Sequence, residues 1–295
     1  MSTTNKDDQG ATISDLVATE NAEHSDFFKT AKATQGSSGS KKNVPNSVSV
    51  LELLRSKDML VPGSNLDPSF IDEYRRIKRP LLSNAFGKTA SLVERGNLIL
   101  ITSSMPGEGK THTSVNLALS MAQERDTTVL LVDCDVTKKG VSHVLDIADK
   151  RGLVEVLEDE NLTIADVMLR TDIPHFSVLS AGKHHEYVTE LLASQRMANL
   201  VNEMVSRYSD RVIVFDGPPL LPTPETQVLA GLVGQVVFVI EAGETPRSVV
   251  EEAIALIPEG QAAGLVINKS EGVFERSGYY YGYYGSGSEK SKNKK

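Results

Sequence analysis

Apolar residues recur along this chain in short runs separated by stretches of helical spacing. LILIT (98–102), TVLLVD (128–133), FSVLSA (176–181), VIVFD (212–216), QVVFVIEA (235–242) and GLVINK (264–269) each have the length of a buried strand. Several are apolar throughout, as strands covered on both faces must be. Between them, TSVNLALSMAQE (113–124), ELLASQRMANLVNEMVSRY (190–208) and ETPRSVVEEAIALI (244–257) read as helices. The last has Thr245 placed as N-cap and Pro246 at the first helical position. This alternation predicts an α/β fold, a doubly wound and mostly parallel sheet with right-handed crossovers.

Two helical patterns precede the first run. VSVLELLRSKDML (48–60) predicts a short amphipathic helix. PSFIDEYRRIKRPLLSNAF (68–86) places Phe70, Tyr74, Ile77 and Leu81 on one stripe. Glu73, Arg76 and Arg79 recur at every third position on a different, charged face. By spacing alone that face is a set of solvated charges with a local ion pair worth ~0.3 kcal/mol.

The remainder is polar. Residues 1–47 carry too little apolar surface to offset their ordering entropy and read as a disordered segment. Residues 48–95 form N-terminal helices, 96–275 the sheet domain, and 276–295 a low-complexity tail. That tail holds Tyr279, Tyr280, Tyr281, Tyr283 and Tyr284.

Composition narrows the setting. A formal net charge of −8 argues against nucleic acid as the partner of the whole surface. The single cysteine, Cys134, excludes an internal disulfide and fits a reducing cytoplasm. The polar N-terminus lacks the apolar core of a signal peptide, and no apolar run reaches the ~18 residues that span a bilayer. Membrane association is therefore expected through a partner or the surface.

The chemistry gathers at strand ends. LILIT runs into Ser103-Ser104-Met105-Pro106-Gly107-Glu108-Gly109-Lys110-Thr111 and then into a helix. That is the context of a phosphate-binding P-loop: backbone N–H groups wrap phosphates, the lysine reaches their oxygens and the threonine hydroxyl ligates Mg²⁺. The motif departs from its pattern only at its first glycine, where Ser104 stands. The candidate ATP-binding set is Pro106, Gly107, Glu108, Gly109, Lys110, Thr111 and His112, with Asn268 at the end of the last strand as a contact for the base. TVLLVDCD ends in Asp133 and Asp135, and VIVFD ends in Asp216. Ligands of open α/β sheets sit at such carboxyl ends. Magnesium takes one or two carboxylates, here Asp135 and Asp216 beside Thr111, which leaves one carboxylate as a base. Asp133 and Asp135 are equally placed for that role. Glu225, on the loop after Pro218-Pro219, is a candidate phosphate sensor.

PGEGKT, LLVDCD and VIVFDGPP resemble the bacterial protein-tyrosine kinases of exopolysaccharide systems, over roughly residues 68–285. EYRRIKRPL, TELLAS and the Gly/Tyr tail are most similar to exosortase-associated tyrosine autokinases. The resemblance implies a P-loop kinase using ATP and Mg²⁺. It makes Glu73, Arg76 and Arg79 an E-x-x-R-x-x-R motif that assembles a homo-oligomeric ring, reversing the solvated-face reading. It makes the five tail tyrosines autophosphorylation sites of a neighbouring subunit. It also implies a membrane chain-length-determinant protein as activator, a tyrosine phosphatase as antagonist, and a place on the inner face of the plasma membrane. One departure stands out: Thr137 replaces the arginine of the family's DxDxR pattern, followed by Lys138 and Lys139, so no role is carried over there.

The competing reading is a partition-type switch ATPase. Such proteins carry a second lysine five residues before the P-loop lysine; here that place holds Met105. A third reading is a nucleotide-dependent scaffold without catalysis.

Overall fold

The apolar runs pair into one sheet in the computed structural model, which describes residues 46–207 and 210–270. The segment 1–45 and the tail with Tyr279, Tyr280, Tyr281, Tyr283 and Tyr284 lie outside the described residues. The strands are β1 (Ser47–Val48), β2 (Leu98–Ser103), β3 (Thr128–Asp133), β4 (Leu169–Thr171), β5 (Phe176–Leu179), β6 (Arg211–Asp216), β7 (Gln235–Glu241) and β8 (Ala262–Asn268). Their order is β1-β4-β5-β3-β6-β2-β7-β8, parallel among the described residues except between β4 and β5.

Side chains alternate across the pleat. Ile99, Ile101, Val129, Leu131, Val212 and Val214 face a layer built from α1 (Leu51–Ser56), α2 (Pro68–Phe86) and α3 (Lys110–Ala122). Leu98, Leu100, Leu130, Val132, Ile213 and Phe215 face the other layer. After α4 (Gly140–Val144), that layer is built from α5 (Leu153–Glu158), α6 (Ile164–Val167), α7 (Val188–Leu192), α8 (Gln195–Arg207) and α9 (Pro224–Leu232). A last helix, α10 (Arg247–Ile254), joins β7 to β8. Both faces are covered, which is why these strands tolerate unbroken apolar runs. Each fully buried Leu or Val in them contributes roughly 1.5–3 kcal/mol.

α3 is the best-enclosed helix: every residue from Thr113 to Ala122 is buried, because α2 lies over its outer side. Lys78 of α2 is buried too, and its ammonium donates to Ser120 O at 2.6 Å and pairs with Glu124 at 2.7 Å. The cation thus sits at the carboxyl end of α3, where the helix dipole favours it.

The 68–86 helix has the expected bounds. Others differ. The 190–208 pattern is two helices, because Ser194 Oγ accepts from Met197 N and starts α8 afresh. Thr245 is not the N-cap of α10: Pro246 holds that place, and the Thr245 hydroxyl is engaged elsewhere. The 48–60 helix is shorter at both ends. Ser47–Val48 pair with β4, and Asp172 accepts from Val50 N and Leu51 N at the start of α1.

Gln235 joins the α2 layer to the sheet. Its buried amide donates to Leu81 O and Gly96 O, and Asn84 Nδ2 donates to its oxygen. Gln235→Ala is expected to leave these groups without partners and lower stability by about 1–3 kcal/mol, measured as a denaturation midpoint at constant m-value.

Candidate active site

The P-loop must turn sharply between β2 and α3, and two glycines permit it. Gly107 and Gly109 have φ of +99° and +93°, the left-handed region that side chains disfavour. At Gly109 a Cβ would also fall 1.9 Å from Asn268 Nδ2. A loop bent in this way at a helix N-terminus is the setting in which backbone N–H groups bind an anion.

Sheet order brings the acids to this loop. β3, β6 and β2 are neighbours, with Asp133 in register with Asp216, and Asp216 with Ile101 of β2. Asp216 accepts from Thr111 Oγ1 and Ser114 Oγ, each at 2.8 Å. Asp135 Oδ2 lies 3.0 Å from Lys110 Nζ, and its Oδ1 accepts from Lys138 N at 3.1 Å. Asp133 Oδ2 accepts from Ser142 N and Oγ at 2.8 and 2.7 Å, and its Oδ1 accepts from Asp135 N at 3.2 Å. Lys110, Thr111, Asp133, Asp135 and Asp216 therefore converge.

Three buried carboxylates with one buried lysine strain the electrostatics. Burial, and then the charge of Asp216, pushes the Asp133 carboxyl up to about 7. Burial lifts Asp216 to about 6, although Lys110 and the two hydroxyls oppose it. Burial alone would lower the Lys110 ammonium, but Asp216 and Asp135 outweigh it and hold it above its usual range. Burial raises the Cys134 thiol well above its ordinary value, so this cysteine is no nucleophile.

Other members of the expected ATP set have different tasks. The buried Glu108 carboxylate turns back into the loop, accepting from Met105 N at 2.6 Å, Ser104 Oγ at 3.3 Å and Thr245 Oγ1 at 2.5 Å. Its side chain braces the cradle. The Asn268 amide, expected at the base, donates to Glu108 O at 2.9 Å and braces the same loop. The His112 ring, expected at the nucleotide, packs edge-on against Phe70 of α2, with centroids 6.2 Å apart. Pro106 stands exposed at the tip of the loop. Glu225 opens α9 and is buried. Glu73, Arg76 and Arg79 lie exposed on α2, and among the described residues none of them forms an ion pair; the local pair on this helix is Arg75–Asp72.

Sequence reading missed Ser114, Ser142 and Thr245. Ser114 follows Thr111 by three and Lys110 by four on one helix, so its approach to Asp216 was open to inference. Ser142 lies nine residues past Asp133, and Thr245 lies 137 residues from Glu108; no local spacing marks either contact.

The donor set fits magnesium: Thr111 Oγ1 and Asp216 place hard oxygens side by side, the donor type that ion takes. Among the described residues no cluster of three or more acids, histidines or cysteines is arranged to hold a metal ion by itself.

A parallel sheet, a glycine-bent phosphate loop and acids on adjoining strands define a P-loop nucleotide-binding protein. Consistent with that, the family described as AAA domain matches residues 96–243, just over half of the chain. CapB of Staphylococcus aureus, whose name ascribes tyrosine-kinase activity to it provisionally, is 32% identical over 72% of this chain and 90% of its own. The tyrosine-protein kinase YwqD of Bacillus subtilis (strain 168) is 30% identical over 73% and 86%. ExoP of Rhizobium meliloti (strain 1021), a succinoglycan biosynthesis transport protein, is 31% identical over 59% of this chain and 22% of its own. The crystal structure of the VpsO kinase domain superposes with a TM-score of 0.53 at 31% identity, covering 67% of this chain and 97% of that one. The chain belongs to the bacterial tyrosine-protein kinases.

The Asp133 carboxyl makes a pH prediction for the nucleotide- and magnesium-free protein. Its folded pKa, about 7, lies above its unfolded value near 4, so its contribution to stability is present below pH 4 and is lost as pH rises through 7. Asp133→Asn is expected to lose stability against the parent at pH 5, and to lose less at pH 8. Parallel melting curves at the two pH values measure the difference.

Proposed function

We propose that this chain is an ATP-dependent protein-tyrosine autokinase, and that its acceptors are Tyr279, Tyr280, Tyr281, Tyr283 and Tyr284 of a neighbouring copy. The observation that carries the reading is the convergence of Lys110, Thr111 and three buried carboxylates at adjoining strand ends, in a chain whose tail holds five tyrosines. The P-loop N–H groups bind the phosphates, and Lys110 places its charge on the group transferred. Asp135 orients Lys110 through their ion pair. Thr111 and Asp216 are the residues that would hold Mg²⁺, which when bound would offset the charge developing on the transferred group. Asp133 or Asp135 accepts the phenolic proton, as the carboxylates at the end of β3 and just beyond it. The phenolic oxygen forms the new bond to phosphorus, and the bond to the departing ADP breaks.

The partition-type reading gains nothing from the site: Met105 stands half exposed where such a protein would present its second lysine. The kinase reading extends to partners by likeness. The name of ExoP, a succinoglycan biosynthesis transport protein, supports a role in exopolysaccharide production. The family resemblance alone extends the proposal to a membrane chain-length-determinant activator and an opposing tyrosine phosphatase. Among the described residues no helix is long and apolar enough to cross a membrane. The proposed position is the inner face of the plasma membrane, beside that activator. The exposed Glu73, Arg76 and Arg79 are the surface proposed for ring assembly.

A chain with Lys110→Met serves as acceptor, and a chain with its five tail tyrosines changed to Phe serves as donor. Mixed with ATP and Mg²⁺, they are expected to place phosphate on the acceptor's tail, read by mass spectrometry. An unlabelled acceptor beside a normally labelled wild type would sink transfer between copies. Arg76→Ala with Arg79→Ala is expected to lower self-association, seen by light scattering, while leaving ATP affinity within about threefold. An unchanged mass with nucleotide bound would remove the ring surface from α2.

A further inference from the structure

The chain has eight tyrosines, and only Tyr74 and Tyr187 lie among the described residues. Their settings are opposite. Tyr74 is 6% exposed, packed in the core between α2 and α3, and burial pushes its phenol up to about 12. Tyr187 is 60% exposed. It sits just before α7, in the loop that leaves the carboxyl end of β5.

That loop grows out of the active site. β5 is the neighbour of β3, which carries Asp133. At the root of the loop, Ala181 N donates to Ser142 Oγ at 3.0 Å, and the same hydroxyl donates to Asp133 Oδ2 at 2.7 Å. One residue on, Gly182 O accepts from Lys139 Nζ at 2.5 Å, tying the loop to the segment that follows Asp135. Tyr187 is five residues beyond Gly182, so its Cα lies within about 17 Å of that anchor even if the chain is fully extended.

Tyr187 is also held in place. Its backbone N–H donates to His185 Nδ1 at 3.0 Å, and the two rings meet edge to face at 6.2 Å. The other ring nitrogen of His185 lies 3.2 Å from Glu158 Oε1, at the end of α5. Glu158 Oε2 pairs with Lys183 at 2.7 Å. The phenol is therefore presented outward from a braced loop. Lys183 and His184, both exposed, supply positive charge or donors to a phosphate placed there.

We propose that Tyr187 is a further phosphate-acceptor site of this chain, separate from the tail cluster and modified by the chain's own active site. The inference rests on the kinase reading above. The Tyr187 oxygen forms a bond to the γ-phosphorus of ATP, the phosphorus–oxygen bond to ADP breaks, and the phenolic proton leaves through an active-site carboxylate to water. The added group carries ~1.5–2 negative charges near pH 7 and three acceptor oxygens. Beside Glu158 it competes for Lys183, so modification loosens the tie between this loop and α5.

The test uses the full chain with its five tail tyrosines changed to Phe, incubated with ATP and Mg²⁺ and mapped by peptide mass spectrometry beside the wild type. Phosphate is expected on the Tyr187 peptide in both. Adding Tyr187→Phe to the tail variant is expected to remove that label, and Lys110→Met is expected to abolish it. Phe keeps the ring against His185, so the loop retains its packing. A wild type labelled on its tail but not on Tyr187, with the tail variant also unlabelled there, overturns this proposal alone and leaves the kinase reading standing. Absence of phosphate from every tyrosine overturns both.

Discussion

Three carboxylates buried against one lysine are the constraint on which this structure depends. Asp133, Asp135 and Asp216 would carry three negative charges into a region where Lys110 supplies one positive charge. The protein alone cannot balance that set, and the upward displacement of Asp133 and Asp216 is the result. What keeps the cluster together is neutral hydrogen bonding: two hydroxyls on Asp216, and a hydroxyl with two backbone N–H groups on Asp133. These donors fix the carboxylates without neutralising them. A site so arranged carries more acid than Lys110 can balance, which is the electrostatic setting that suits a bound cation.

The constraint reaches outward through α3. Its first turn supplies Lys110, Thr111 and Ser114, so any rotation of the helix moves three site residues together. Rotation is opposed along its whole length: the sheet packs on one side, and α2 on the other through Tyr74, Leu81 and the His112–Phe70 contact. Lys78 fastens the far end. The helix with the charged outer face is thus the helix that sets the pitch of the phosphate loop. The proposed assembly surface is on the outer face of the helix that packs against the phosphate loop's own helix.

Much of this was legible in the sequence, and the boundary of legibility is physical. Continuous apolar runs marked the central strands because both sheet faces are covered, and the bounds of α2 followed from its stripe. The phosphate loop and its acids were legible because they combine a local motif with strand ends. β4 escaped notice: it has three residues, and it pairs antiparallel to β5 in an otherwise parallel neighbourhood. Glu108, Asn268 and His112 were assigned to the nucleotide because they lie in or beside the motif, yet each side chain turns to a partner distant in sequence. Adjacency in the chain specifies backbone position in a tight loop, while side-chain direction depends on tertiary neighbours that no local pattern encodes.

The brace on the cradle bears on how the tail meets it. Asn268 Nδ2 donates to Glu108 O, and Lys269 Nζ donates to Gly107 O, each at 2.9 Å. The last described residues therefore grip the phosphate loop itself. β8 runs parallel to β7, and β7 to β2, so the chain leaves β8 on the same edge of the sheet as the cradle. Tyr279 follows Lys269 by ten residues, which span at most about 33–36 Å when extended. That length is ample for return to the chain's own loop, so reach does not select a neighbour as acceptor. Under the proposed transfer between copies, selection would come from how the copies are arranged. What the described residues show is that Asn268 and Lys269, at and just past the end of β8, are tied to the loop that carries Gly107 and Glu108.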